Sequence, residues 1–452
     1  MNITVIGTGY VGLVTSASLA FLGHKVFCVG RNLEKIKKIN GGISPFFEPG
    51  LDAILKNIVS RKLLIATDKL ESSVLNSDIT FIAVGTPTIN NKIDLSSIIN
   101  VSKQIGYSLK SNTKYHVVVV KSTVVPTTTE KVIKPILEKY SGKKIGSFGL
   151  CMSPEFLREG NAVEDALHQD RIIIGQYDDK SGKKFAKVYS KFSCEKIFTN
   201  LSTAEMIKYA SNSLFATLVS YSNEISRICE EVDGIDVMDV WKGVHLDRRL
   251  SPIIDNKRFS PGLLNYILSG CGYGGSCFPK DTKALATYAK NLKVNTQILR
   301  GVISVNNTQP IRMVNLLKNC IEDLNDKQIA VLGLTFKPNT DDLRESPAIK
   351  IIKLLIQDGA NVICHDPTVS KINDKTELRR LKIRIAKNVT EALKNSDGVL
   401  IVTAWDQYKK LTPNIFKIKM KNPVIIDGRR IYDKNVFSQD GITYRGIGLI
   451  GI

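Results

Sequence analysis

The 452-residue sequence contains no apolar run approaching the ~20 residues that a membrane-spanning helix needs, so no transmembrane segment is expected. Met1-Asn2-Ile3-Thr4-Val5-Ile6-Gly7 leads straight into a strand pattern, without the basic region and apolar core of a signal peptide. There are only five histidines, and the eight cysteines are scattered with no Cys-x-x-Cys pair, which argues against a zinc site or a disulfide framework. No metal and a reducing, cytoplasmic setting are the resulting expectations. Lysines are spread along the whole chain with no long basic block, so a basic nucleic-acid-binding tail is absent.

What is present is an ordinary globular composition, 43% hydrophobic and 23% charged, long enough for two or three domains with real cores. The net charge of +20 is the unusual bulk property. It raises nucleic acid, an anionic membrane surface, a polyanionic small molecule, or simply a lysine-rich surface.

Near-continuous apolar runs at 2–7, 25–30, 79–84 and 115–120 alternate with helical patterns such as 11–22. That is the pattern of a parallel sheet buried on both faces. Ser202-x-x-Glu205 reads as a capping box, followed by a helical run from Ala204 to Val232 of roughly 40 Å. A second, broken helical pattern runs from Lys280 to Asp323. Strand-helix alternation then resumes at Gln328, with an internal echo: Asn76-Ser77-Asp78 before Ile82-Ala83-Val84, and Asn395-Ser396-Asp397 before Ile401-Val402-Thr403. The fold expected is α/β, with two Rossmann-like doubly wound lobes (1–199 and 324–452) joined by a long central helix in a helical segment (200–323).

Gly7-Thr8-Gly9-Tyr10-Val11-Gly12 ends the first strand and opens the first helix, the context of a dinucleotide loop. The acid that normally ends the second strand and holds the adenosine ribose is missing. Gly30, Arg31 and Asn32 stand there instead. Arg31 suits a 2′-phosphate, while Asn32 or the backbone could hold a plain ribose, so NAD and NADP both remain open. Gly333-Leu334-Thr335-Phe336 lacks the later glycines, which suits a different nucleotide in the second lobe.

Gly274-Gly275-Ser276-Cys277-Phe278-Pro279-Lys280-Asp281 places a thiol at the start of a helix, where the helix terminus and a neighbouring Lys favour the thiolate. Together with the glycine loop, this segment resembles the UDP-glucose/GDP-mannose 6-dehydrogenase family. The resemblance covers essentially the whole chain. It includes Glu48-Pro49-Gly50-Leu51, Val84-Gly85-Thr86-Pro87, Lys121-Ser122-Thr123-Val124, the stretch Ser153 to Gly160, Ala204 to Tyr209 with Asn212, Phe336-Lys337 with Asp342 to Ser346, and Asp427-Gly428-Arg429.

The resemblance implies a four-electron oxidation of a sugar C6 alcohol to a carboxylate with two NAD, in a cytoplasmic homodimer that makes polysaccharide precursors. UDP-glucose is the first-choice substrate, with GDP-mannose or a UDP-N-acetylhexosamine as alternatives. It makes Cys277 the nucleophile that captures the aldehyde. Lys208 becomes an oxyanion stabiliser and Asn212 a sugar contact, one turn apart on a helix face. Asp281 and Thr123 position water or move protons, and Glu155 serves acid/base chemistry. Cofactor contacts would come from Gly7, Gly9, Tyr10, Val11, Gly12, Arg31, Lys35, Thr86, Thr123, Glu159, Lys280 and Arg344. Phe156, Leu157, Arg158, Glu159, Tyr266, Gly274, Phe336, Lys337 and Arg429 would line the nucleotide-sugar site with Glu155, Lys208 and Asn212. The stretch between His245 and Gly270 is longer than the family's usual one. A two-electron hydroxyacid dehydrogenase and a nucleic-acid-binding protein are the competing readings; the Cys277 segment opposes the first, the lack of a nucleic-acid module the second.

Overall fold

The computed structural model describes residues 1–89, 92–369, 376–381, 383–438 and 441–449. It divides into two compact units, Met1–Ser211 with Thr287–Leu292, and Asn212–Ala286 with Lys293–Ile452.

In the first unit the apolar runs become β1 (Asn2–Ile6), β2 (Lys25–Val29), β3 (Leu64–Thr67), β4 (Ile79–Ile82), β5 (Val117–Val120), β6 (Gly149–Met152), β7 (Arg171–Gln176) and β8 (Glu195–Thr199). They lie in the order β8-β7-β6-β5-β4-β1-β2-β3. All neighbours are parallel except β6 and β7. Side chains alternate along β5: Val117 and Val119 enter one apolar cluster, Val118 and Val120 another. The sheet is therefore buried on both faces, as the unbroken valine run requires. Helices α1 (Tyr10–Phe21) and α2 (Leu33–Asn40) follow β1 and β2. The strand order reverses at β1, and the carboxyl ends of β1 and β4 leave the crevice where such sheets take ligands.

Helix α3 runs from Leu201 to Cys229. Its start corrects the expected capping box. The cap is Asn200, whose side chain accepts the Thr203 N–H at 2.7 Å, and Ser202 is already helical. Glu205 is buried and accepts the Thr129 N–H at 2.7 Å instead; burial pushes its carboxyl up to about 7. The helix also ends three residues before Val232, in a turn leading to Gly234. The Lys280–Asp323 pattern resolves into α4 (Phe278–Asn291) and α5 (Gln297–Lys318).

The second unit repeats the sheet plan with β9 (Gln328–Leu332), β10 (Asn361–His365), β11 (Arg384–Ile385), β12 (Gly398–Ile401), β13 (Val424–Asp427) and β14 (Thr443–Gly446). The order is β11-β10-β9-β12-β13-β14, all parallel, and α6 (Pro347–Gln357) precedes β10. The sequence echo has a structural meaning. Asn2 N–H donates to the Asp78 carboxylate at 3.0 Å and Asp78 N–H returns to Asn2 O at 2.8 Å. Gln328 and Asp397 make the same two bonds at 3.0 and 2.8 Å. Among the described residues, no helix is long and apolar enough to cross a membrane, and no group of three or more His, Cys, Asp or Glu could hold a metal ion.

Candidate active site

The glycine loop of the first unit is shaped by three different demands. Gly7 adopts φ +135°, and a Cβ there would stand 2.2 Å from the Ala83 carbonyl oxygen. A Cβ on Gly12 would meet the Gly7 carbonyl at 2.0 Å, so α1 packs directly on β1. At Gly9 nothing lies within 4 Å of that position. The open space at Gly9, in front of the first turn of α1, is what an approaching pyrophosphate needs, so the residues present fit a dinucleotide. Gly7, Thr8, Gly9, Gly30, Arg31, Asp68 and Gly85 line a cavity of about 260 Å³ there. Lys35 lies in the first turn of α2, its N–H donated to Asn32.

Tyr10 points away from this cavity's glycines toward Phe46, 5.0 Å between ring centres, and donates its hydroxyl to buried Glu48. Glu48 also accepts the N–H groups of Gly160 (2.7 Å) and Ala162 (2.6 Å). Glu48 thus fixes the loop carrying Glu155 to Glu159. Val11 and Leu157 pack against the apolar core of this unit, so the Leu157 side chain serves packing. Arg158 is held by Asp165 through a two-pronged ion pair with its closest contact at 2.5 Å. Thr86 donates to the Thr123 carbonyl at 2.7 Å, joining the loops after β4 and β5.

Glu155 and Lys208 form a buried ion pair at 3.1 Å, and the second Glu155 oxygen accepts the Leu157 N–H at 2.7 Å. The Lys208 ammonium lies 5.3 Å from the Phe156 ring centre, and Arg171 covers that ring at 4.2 Å. A third charged group belongs here and was not singled out from the sequence: Lys121. Burial lowers its ammonium to about 8, opposed by the attraction of Glu155 and aided by the repulsion of Lys208. Its sequence signal was its place in the Lys121-Ser122-Thr123-Val124 segment of the family resemblance, which gave it no role of its own.

In the second unit, Cys277 directly precedes α4 and is partly exposed. Its carbonyl accepts the Asp281 N–H at 2.8 Å, closing the first helical turn, and its sulfur lies 3.5 Å from the Ser276 hydroxyl. Asp281 is buried and clamped: one oxygen takes the Lys280 ammonium at 2.5 Å, the other the Asn212 amide at 2.6 Å. Asn212 thus meets α4 across 69 residues of sequence. Phe336 covers the glycines before the thiol. A Cβ on Gly275 (φ +80°) would stand 2.8 Å from its ring, and one on Gly274 would stand 3.0 Å from its Cβ. Gly275 N–H donates to the Arg344 carbonyl at 2.9 Å, and the Arg344 guanidinium is paired with Asp342. Lys337 lies 5.5 Å from the Phe336 ring centre.

Tyr266, near the end of the long 246–270 stretch, packs against Phe215 with the rings tilted and their centres 4.5 Å apart, and Phe278 completes that aromatic group. Arg429 donates to the Val402 carbonyl at 2.6 Å, while Asp427 accepts N–H groups from Arg429, Ile431 and Tyr432. A Cβ on Gly428 would strike the Cys271 sulfur at 2.2 Å, which explains the glycine between them. Burial pushes Cys28 and Cys271 up to about 11, Cys151 up to about 12 and Cys364 higher still.

Three family profiles match successive parts of the chain: the UDP-glucose/GDP-mannose dehydrogenase NAD-binding domain over residues 1–193, the central domain over 202–308 and the UDP-binding domain over 330–434. The UDP-glucose 6-dehydrogenase YwqF of Bacillus subtilis is 39% identical, over 99% of this chain and 98% of its own. The UDP-glucose 6-dehydrogenase AglM of Haloferax volcanii is 36% identical, over 99% and 100%. Among solved structures, a UDP-glucose dehydrogenase from Pyrobaculum islandicum superposes with a TM-score of 0.87 at 33% identity, covering 99% of this chain and 97% of that one. The glycine loop, the buried Glu155–Lys208 pair and the thiol at the head of α4 stand in a chain matched along its whole length, and this protein belongs to the UDP-glucose/GDP-mannose dehydrogenase family of NAD-dependent nucleotide-sugar oxidoreductases.

Proposed function

We propose that the chain is a UDP-glucose 6-dehydrogenase that converts UDP-glucose, two NAD and water into UDP-glucuronate, two NADH and three protons. NAD, when bound at the Gly7–Gly12 loop, takes the hydride removed from C6 in each of the two oxidations. The first oxidation turns the C6 alcohol into an aldehyde, its hydroxyl proton passing to solvent through the Glu155 side. The Cys277 sulfur then forms a bond to C6, giving a thiohemiacetal. Loss of the second hydride leaves a thioester, and water cleaves its C–S bond, returning the thiolate and releasing the carboxylate. Lys208 balances negative charge developing on the C6 oxygen, and Asn212, one helical turn on, holds the sugar. Asp281 and Thr123 position the water and its proton. Phe336, Lys337 and Arg429 hold the nucleotide.

The observation that carries this reading is the Cys277–Asp281 turn, with Asp281 fixed by Lys280 and Asn212. A two-electron dehydrogenase has no use for a thiol so placed. The test is the stoichiometry of reduced cofactor per sugar with UDP-glucose, GDP-mannose and UDP-N-acetylhexosamines. Two per UDP-glucose is expected; a ratio of one, or a faster reaction with another sugar, overturns the assignment. Cys277→Ala should lower acid formation on the order of 10³-fold or more while UDP-glucose still binds.

We further propose a homodimer organised as 1–199, 200–323 and 324–452. What supports it is a stripe on α3 in which Leu214, Tyr221 and Ile228, seven residues apart, are each more than half exposed. That spacing suits a helix seam. Leu214→Asp with Ile228→Asp should halve the mass seen in sedimentation.

A further inference from the structure

The corner after β2 decides which adenosine ribose the dinucleotide site accepts. In the first unit Gly7 N–H bonds the Val29 carbonyl at 2.8 Å, and the residue after Val29 is Gly30. In the second unit Gly333 N–H bonds the His365 carbonyl at the same 2.8 Å, and the next residue is Asp366. By register, Gly30 therefore stands where the sister sheet carries a carboxylate. A carboxylate at that corner binds the ribose 2′-hydroxyl of NAD and repels the 2′-phosphate of NADP.

Five further observations bear on the choice. Gly30 leaves room filled by Thr8, whose methyl lies 2.3 Å from where a Cβ would be. Arg31 is exposed, lines the same cavity of about 260 Å³ as the glycine loop, and makes no hydrogen bond or ion pair among the described residues. Asn32, the neutral candidate for holding a plain ribose, is committed elsewhere: its side chain caps α2 by accepting the Lys35 N–H at 2.9 Å. The N-terminal end of α2, which favours anions, follows directly. One acid, Asp68 after β3, also lines the cavity and works against a phosphate.

We propose that this chain binds NADP as well as NAD, with the Arg31 guanidinium pairing the 2′-phosphate. Arg31 and Gly30 are thereby the residues that set cofactor specificity. The inference rests on the reaction proposed above and departs from it only in the cofactor. Arg–phosphate pairing supplies two parallel charge-assisted bonds and does not depend on the sugar.

The experiment is calorimetric titration of the full-length protein with NADP and with NAD, without nucleotide sugar. The expected result is dissociation constants within about tenfold of each other, and an Arg31→Ala variant whose NADP affinity falls at least about tenfold more than its NAD affinity. Arg31→Lys should recover part of that loss, and Asp68→Asn should shift preference further toward NADP. NADP binding more than about 100-fold weaker than NAD, or a preference indifferent to Arg31→Ala, overturns the inference and leaves the reaction standing. Binding of neither dinucleotide by folded protein overturns both.

Discussion

The two parallel sheets share one plan, yet each treats the corner beside its first strand differently. In the first unit α1 begins at Tyr10, immediately after Gly9, and the corner is left open. In the second, Gly333 is followed by a long loop, and α6 begins only at Pro347. That loop folds onto Asp366, which accepts the N–H groups of Leu334 (2.8 Å) and Thr335 (3.1 Å), the hydroxyls of Thr335 and Thr368, and the Trp405 indole N–H. One sheet keeps the corner for a phosphate. The other fills it with its own carboxylate, so the same backbone turn becomes a structural joint. There the acid is spent on the donors of its own loop and neighbours, whereas the first unit has no acid at the matching position, Gly30.

The sharpest test substitutes the glycines. Gly9→Val should weaken NAD binding more than about 100-fold with little loss of stability, because Gly9 has φ −82° and free space. Gly333→Val should instead cost about 3 kcal/mol or more in denaturant unfolding, because φ is +97° and the Cβ would lie 2.4 Å from Thr403. Equal destabilisation by both would break the comparison. Next in size, Asp366→Ala strands buried donors and should cost about 2–4 kcal/mol. The converse change, Gly30→Asp, should shift the cofactor preference toward NAD once Thr8 turns aside. Smallest are Asp78→Asn and Asp397→Asn, which remove the charge assistance from the same backbone N–H bond in each sheet. Each should cost about 1 kcal/mol and the two should agree within about 0.5 kcal/mol.

The parts legible from sequence were those with local signals. Valine runs gave buried strands because both faces of the sheets are covered, and the glycine spacing at 7, 9 and 12 gave the loop because a tight turn between strand and helix needs glycines at fixed local offsets, although the group that crowds Gly7 is Ala83, far along the chain. The thiol segment was legible for the same reason. What escaped depends on partners far along the chain. Nothing near Asp281 announces that Asn212 will hold it, and nothing near Glu48 announces Gly160 and Ala162. Lys121 lies in an ordinary strand end and becomes special only through burial beside Glu155 and Lys208. The misplaced cap of α3 is instructive too. Asn200 and Ser202 are both good capping residues, and the choice went to the one that frees Glu205 to reach the Thr129 turn.

The distribution of thiols also determines how this protein can be labelled. Cys28, Cys151, Cys229, Cys271 and Cys364 are buried, and burial raises each of them, so at neutral pH they present protonated sulfur shielded from reagents. Only Cys194, Cys277 and Cys320 are partly exposed. An electrophile such as iodoacetamide therefore meets three sulfurs rather than eight, and on the reaction proposed above a bound nucleotide sugar should protect Cys277 and leave the other two open. Under that proposal the chain carries its own handle for active-site titration, for counting competent molecules in a preparation, and for anchoring a covalent inhibitor.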